Sequence, residues 1–138
     1  MSPMAELSPG RDDDRGSSPV EFVLVGALLT ALTLGVLQFA LAVYVRNVVH
    51  DAAVEGAHVA ALADTEPGEG VRRTALVISR DVGADYAQNV TVRETTALGA
   101  PTMEVTVRTT LPLIGLLGVP SGLEVTGRAP VESLAEAG

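Results

Sequence analysis

The 138-residue chain has no cysteine, no tryptophan and no lysine, and only two tyrosines and two phenylalanines. The missing cysteine excludes disulfides and thiolate metal sites, so redox compartment places no constraint on it. With aromatics at 3%, the chain has no platform on which bases could stack. All nine cations are arginine, against 17 acids and a net charge of −8. That balance argues against nucleic-acid binding and against docking on anionic lipid headgroups. Catalytic patterns are missing as well. There is no G-x-S-x-G elbow, no dinucleotide or phosphate loop and no H-E-x-x-H pair, so neither an enzyme, a cofactor nor a small-molecule substrate is expected.

What is present is aliphatic: 47% of the residues are hydrophobic, almost all Ala, Val and Leu. Between Glu21 and Arg46 no residue is charged, and Phe22 to Val45 is a 24-residue run softened only by Gly26, Thr30, Thr33, Gly35 and Gln38. As a helix it would reach about 36 Å, enough to cross a hydrocarbon core of about 30 Å. Tyr44 and Arg46 suit the interface at its far end. Arg11 and Arg15 before the span bias the N-terminus toward the cytoplasm and the C-terminal part outward. An A-x-A site at Ala40-Leu41-Ala42 leaves open a small secreted binding protein released there.

Helical periodicity continues beyond the span. Val45, Val49, Ala52, Gly56, Val59 and Ala63 recur at spacings of four and three, a seam of small residues that lets another helix approach closely. One helix from about Pro19 to Ala63 is expected, with Ser17 or Ser18 as its cap and "DTEPGEG" (64–70) ending it. A second helix fits Val71 to Gln88, with Val71, Ala75, Ile78, Val82 and Tyr86 on one face. Thereafter the period is two. Val90-Val92 and Met103-Val105-Val107 predict a hairpin across "TALGAP", and Leu123 to Arg128 a third strand. "LPLIGLLGVPSG" (111–122) reads as a loop over the sheet, and no internal repeat is read. The fold class is α+β: a long N-terminal transmembrane helix extending outside the membrane, a second helix, then a small antiparallel sheet of about three strands.

His50, Asp51, Glu55 and His58 form the one cluster with metal-ligand residue types, but their spacing closes no ligand set and a solvated helix face explains them. Gly16 and Glu21 raise a different question. Capping accounts for Ser17, Ser18 and Pro19, and the macrodipole for Glu21, but neither requires a glycine five residues before the glutamate.

A glycine, four residues, a glutamate and a long apolar helix resemble the processing site of type IV pilin-like precursors. Downstream, "YVRNVVHDAAVEGAHVAALA" (44–63) resembles the TadE-like proteins of the Tad (Flp, tight-adherence) pilus system, through Arg46, Asn47, Ala52, Ala53, Glu55, Gly56, Ala57, Ala60 and Ala61. His58 stands where that family commonly has arginine. The resemblance covers Gly16 to Ala63. It implies a minor pilin, or pseudopilin, of the cytoplasmic membrane that acts in assembling or priming the pilus. Prepilin peptidase would cut between Gly16 and Ser17, dividing the chain into a leader (1–16), a long helix (17–63, span 22–45) and an extracytoplasmic α+β region (64–138). Glu21 would meet the new amino terminus of a neighbouring subunit. Phe22, Val49, Ala52, Gly56 and Val59 would serve helix packing and assembly, and the partners would be the membrane, the peptidase, other pilin subunits and pilus assembly proteins. The alternative is an unprocessed single-pass anchor.

Overall fold

The computed structural model describes residues 11–112 and 119–132. Helix α1 (Arg11–Ala61) is followed by α2 (Pro67–Asp81), a short 3-10 turn (Ala84–Ala87) and three strands, β1 (Val90–Thr95), β2 (Thr102–Leu111) and β3 (Val119–Pro130). The expected α+β class and element order hold. Contacts divide the chain into two units, Met1–Leu37 and Gln38–Gly138.

In the first unit α1 is exposed all round. Val20, Phe22, Val23, Leu24, Val25, Leu28 and Leu29 are each more than half exposed. A helix apolar on every side has no face to turn to water, which is the pattern of a segment solvated by lipid. Among the described residues α1 is the one helix long and apolar enough to cross a membrane. It begins at Arg11, eight residues before the expected start, so Ser17 and Ser18 are not caps and Pro19 lies inside the helix. Proline lacks the N–H that would bond to the carbonyl of residue 15, and its ring crowds that turn. The helix therefore runs through its weakest stretch instead of beginning there.

In the second unit, burial along α1 becomes one-sided. Val45, Val49, Ala52, Ala53, Ala57, Ala60 and Ala61 are buried while Arg46, His50, Asp51 and His58 stay exposed. Four members of the seam read from the sequence, Val45, Val49, Ala52 and Gly56, are buried in the core of this unit, while Val59 is half-buried and Ala63 is exposed past the helix end; the helix that approaches at Gly56 is α2 of the same chain. A methyl on Gly56 would overlap Thr74 and the Gly70 carbonyl oxygen, and one on Gly70 would overlap the Gly56 carbonyl oxygen and lie 2.7 Å from the Ala60 Cβ. Thr74, fully buried, reaches the Gly70 carbonyl at 2.8 Å and the Ala52 carbonyl at 3.2 Å. Its single proton serves one of these at a time.

Helix α2 corrects the sequence reading at both ends. "PGEG" opens the helix, with Pro67 in its first turn after an extended Glu66, a position where the missing N–H costs nothing. The buried face is Gly70, Thr74, Val77 and Ile78; Val71, Ala75, Val82 and Tyr86 are only half-buried. The helix stops at Asp81 because Gly83 takes φ +123°, a left-handed conformation that glycine tolerates.

The sheet is an antiparallel meander in the order β1-β2-β3. As expected, "TALGAP" forms the first connection, with Gly99 at φ +89°. The third strand is longer than expected and takes residues 119–122 from the anticipated loop; Leu111 closes β2, and residues 113–118 lie outside the described residues. The inner face carries Met103, Val105, Val107, Leu123, Val125 and Ala129, all buried. Gly127 sits among them because a side chain there would strike the α1 backbone at Ala53 and Val54. The Glu132 N–H donates to the Ala61 carbonyl at 2.9 Å, tying the chain beyond β3 to the end of α1.

Gly127→Ala is expected to lower unfolding stability by about 1–3 kcal/mol, since backbone cannot retreat as a side chain can. Gly68→Ala, where the nearest atom is Arg72 Nη1 at 4.0 Å, is the near-neutral control. Urea unfolding of the full chain in detergent, followed by circular dichroism, measures both.

Candidate functional site

Two regions carry the chemistry-bearing residues. The first is the start of α1. Gly16, Ser17, Glu21 and Phe22 all lie exposed on the helix, Phe22 at 81%. Five residues of α-helix turn through about 500°, so Gly16 and Glu21 do not share a face. Gly16 and Pro19 bracket the bond between residues 16 and 17, and these are the two poorest helix formers. Local opening there sacrifices one hydrogen bond fewer than elsewhere, because Pro19 donates none.

Further along α1, the residues expected to serve helix packing are engaged within the chain. Val49 and Ala52 are fully buried, Gly56 faces α2, and Val59 is half-buried; Ala63 lies past the helix end. The histidine and acid cluster is dispersed in use. Glu55 binds Arg73 of α2 (Nε–Oε1 2.7 Å), His50 Nδ1 lies 3.7 Å from Asp51, and His58 Nδ1 lies 2.8 Å from the Val54 carbonyl oxygen.

The second region is the outer face of the sheet, which sequence reasoning did not single out. Register stacks three polar rows across the strands. Arg93, Glu104 and Arg128 form one; Thr91, Thr106 and Thr126 the next; Asn89, Arg108 and Glu124 the third. They line a shallow basin of about 450 Å³. Glu104 is its fixed point. Its side chain is 5% exposed and accepts from Arg128 Nε at 2.5 Å and Arg93 Nε at 2.7 Å. The Arg108 guanidinium bonds Glu124 at 2.7 Å, and the Thr106 and Thr126 hydroxyls meet at 3.2 Å. The Arg128 hydrogen bond first, and then that from Arg93, hold the Glu104 carboxyl below the usual glutamate range.

A signal for this face was in the sequence. Residues 104–108 read "EVTVR" and 124–128 read "EVTGR", two short segments alike at four of five positions. Paired antiparallel, such segments set each glutamate against the other's arginine. "TVR" at 91–93 adds the threonine and arginine of β1. The glycine in the second segment is the position where α1 touches the sheet.

The family model of TadE-like proteins matches residues 16–58. The resemblance read from Gly16 to Ala63 is thus borne out over most of that stretch, about a third of the chain. No match to a curated protein or to a solved structure reaches significance. The TadE-like match takes in Gly16, Glu21, the exposed apolar helix and the buried seam as far as His58. Together with that helix it points to a single-pass membrane protein. The α2 helix and the sheet lie beyond the TadE-like match.

Glu104→Gln should destabilise the fold at pH 7. A carboxyl whose folded pKa is depressed stabilises above its ordinary value near 4.5, and that contribution fades as pH falls through the lower folded value. The gap in urea midpoint between wild type and Glu104→Gln should therefore be widest at neutral pH, narrow as pH falls past the ordinary value near 4.5, and close only below the depressed folded value. A gap independent of pH would mean that the charge is not what Glu104 contributes.

Proposed function

We propose that this chain is a TadE-like minor pilin, or pseudopilin, that assembles or primes a Tad-type pilus and has a structural role rather than a catalytic one. The observation that carries this reading is the family match, which begins at Gly16 and spans Glu21 and the apolar helix. Prepilin peptidase cuts between Gly16 and Ser17 on the cytoplasmic side, and the second unit is extracytoplasmic. A peptidase needs its substrate extended, and the weak helix between Gly16 and Pro19 opens there at low cost.

Cleavage leaves an α-ammonium on Ser17 and places Glu21 fifth in the mature chain. In hydrocarbon a carboxylate is expensive unless compensated. The amino terminus of a neighbouring subunit supplies the opposite charge, which favours insertion in register over insertion at random depth. Packing comes from the exposed aliphatic surface around Phe22, first against lipid and then against other subunits.

N-terminal sequencing of the protein from its host membrane tests the processing step: Ser17 should be the first residue. Gly16→Leu should leave the leader in place, because the larger side chain blocks the peptidase and strengthens the helix. Glu21→Ala should be cut normally but fail to restore piliation. An intact leader in wild type overturns processing, and normal piliation with Glu21→Ala overturns the role of that carboxylate.

A further inference from the structure

The outer face of the sheet has a feature that its role in folding leaves unfinished. Arg93 and Arg128 share one carboxylate, Glu104, and their side chains remain 74% and 51% exposed. With Arg108 and Glu124 added, three cations meet two anions, a local excess of positive charge in a chain whose net charge is −8. One further carboxylate would bring the face to balance. An excess of a single charge is far too small for a nucleic-acid backbone, which rewards many simultaneous cations.

The complementary surface belongs to the same chain. Asp64 and Glu66 lie exposed on the turn between α1 and α2, and Glu69 lies exposed in the first turn of α2. Glu69 pairs with Arg72, whose guanidinium also lies in the field of Glu66, whereas Asp64 is in no salt bridge among the described residues. The turn is held in shape by Thr65 N–H donating to the Leu62 carbonyl at 3.2 Å and by Pro67 at the start of α2. It is an exposed acidic element, and the basin opposite to it in charge is open.

We propose that the outer sheet face, at Arg93 and Arg128, docks the acidic turn around Asp64 and Glu66 of a second copy of this chain. The turn and the face are different surfaces, so each copy offers one to either neighbour. A heterologous contact of this kind propagates into a row instead of closing into a dimer. Exposed ion pairs contribute little affinity, so the contact sets register and orientation between copies. Confinement to one membrane supplies the concentration that a weak contact needs. The inference rests on the pilin reading for its membrane setting and takes its charges from the sheet and turn.

The chain has no native cysteine, so introduced thiols report cleanly on the full-length protein in membranes. One copy carries Gly68→Cys, an exposed position beside the acidic pair, and the other Thr91→Cys, an exposed basin position, and a short bis-maleimide links them. The control replaces Thr91→Cys with Leu76→Cys on the exposed side of α2. The basin pair should cross-link about fivefold more than the control, the ratio that one or two exposed ion pairs can set. The excess should vanish in 1 M salt, where the screening length is about 3 Å, and when Asp64→Arg and Glu66→Arg are added to the first copy. Yields equal to the control, or an excess indifferent to salt and charge reversal, overturn the proposal. The N-terminus is sequenced in the same samples. Cross-linking with an intact leader would sink the processing reading and leave the contact standing; a Ser17 start without cross-linking would sink the contact alone.

Discussion

Close backbone approach between α1, α2 and the sheet is the constraint on which the second unit depends. At Gly56, Gly70 and Gly127 the main chains of neighbouring elements lie where a side chain would otherwise stand. The α1 residues around these points, Ala52, Ala53, Ala57 and Ala60, are small, which lets the neighbouring main chains come this close. This explains how a chain with 3% aromatics builds a core at all. It gains dispersion contacts by bringing backbones together rather than by filling a wide gap with rings. The cost is intolerance: backbone atoms cannot rotate away from an added methyl.

The same helix meets two different solvation problems. From Val20 to Tyr44 large aliphatic side chains are exposed in every direction, and at Val45 exposure falls to 2%. A spanning segment can be apolar all round because lipid accepts every face, whereas a segment folded against protein needs polar residues wherever it meets water. The first charged side chain after Glu21 is Arg46, at that change. Charge and burial pattern therefore switch together, within one uninterrupted helix.

Much of this was legible in the sequence, and what was not has identifiable causes. The span and the small-residue seam follow from hydrophobic period, which survives any choice of partner. The partner itself does not: spacing shows that something packs on Gly56, and only the tertiary structure shows that it is α2. At the helix ends, local grammar competes with propagation and propagation wins. Ser17, Ser18 and Pro19 have the composition of a helix start, yet α1 runs through them from Arg11. "DTEPGEG" looked like a pure terminator, yet Pro67 and its neighbours open α2. The polar rows were written in plain sight as "EVTVR" and "EVTGR". They went unread because a polar strand face is ordinarily just the wet side of a sheet, and its meaning appears only when register is known.

Register is what joins the two faces. Along β2, Met103, Val105 and Val107 face the helices while Glu104, Thr106 and Arg108 face outward, so one alternation fixes both sets. A slip of one residue would bury Glu104 against the helices and expose the valines, and it would break both arginine pairs at once. Glu104 therefore acts on the core without touching it. Its bonds to Arg93 and Arg128 connect all three strands at one level and so oppose any shift between them. An apolar residue at 104 would leave the inner face unchanged and remove that restraint. A carboxylate at the centre strand, flanked by arginines on both edges, is thus a specificity device for the fold before it is anything else.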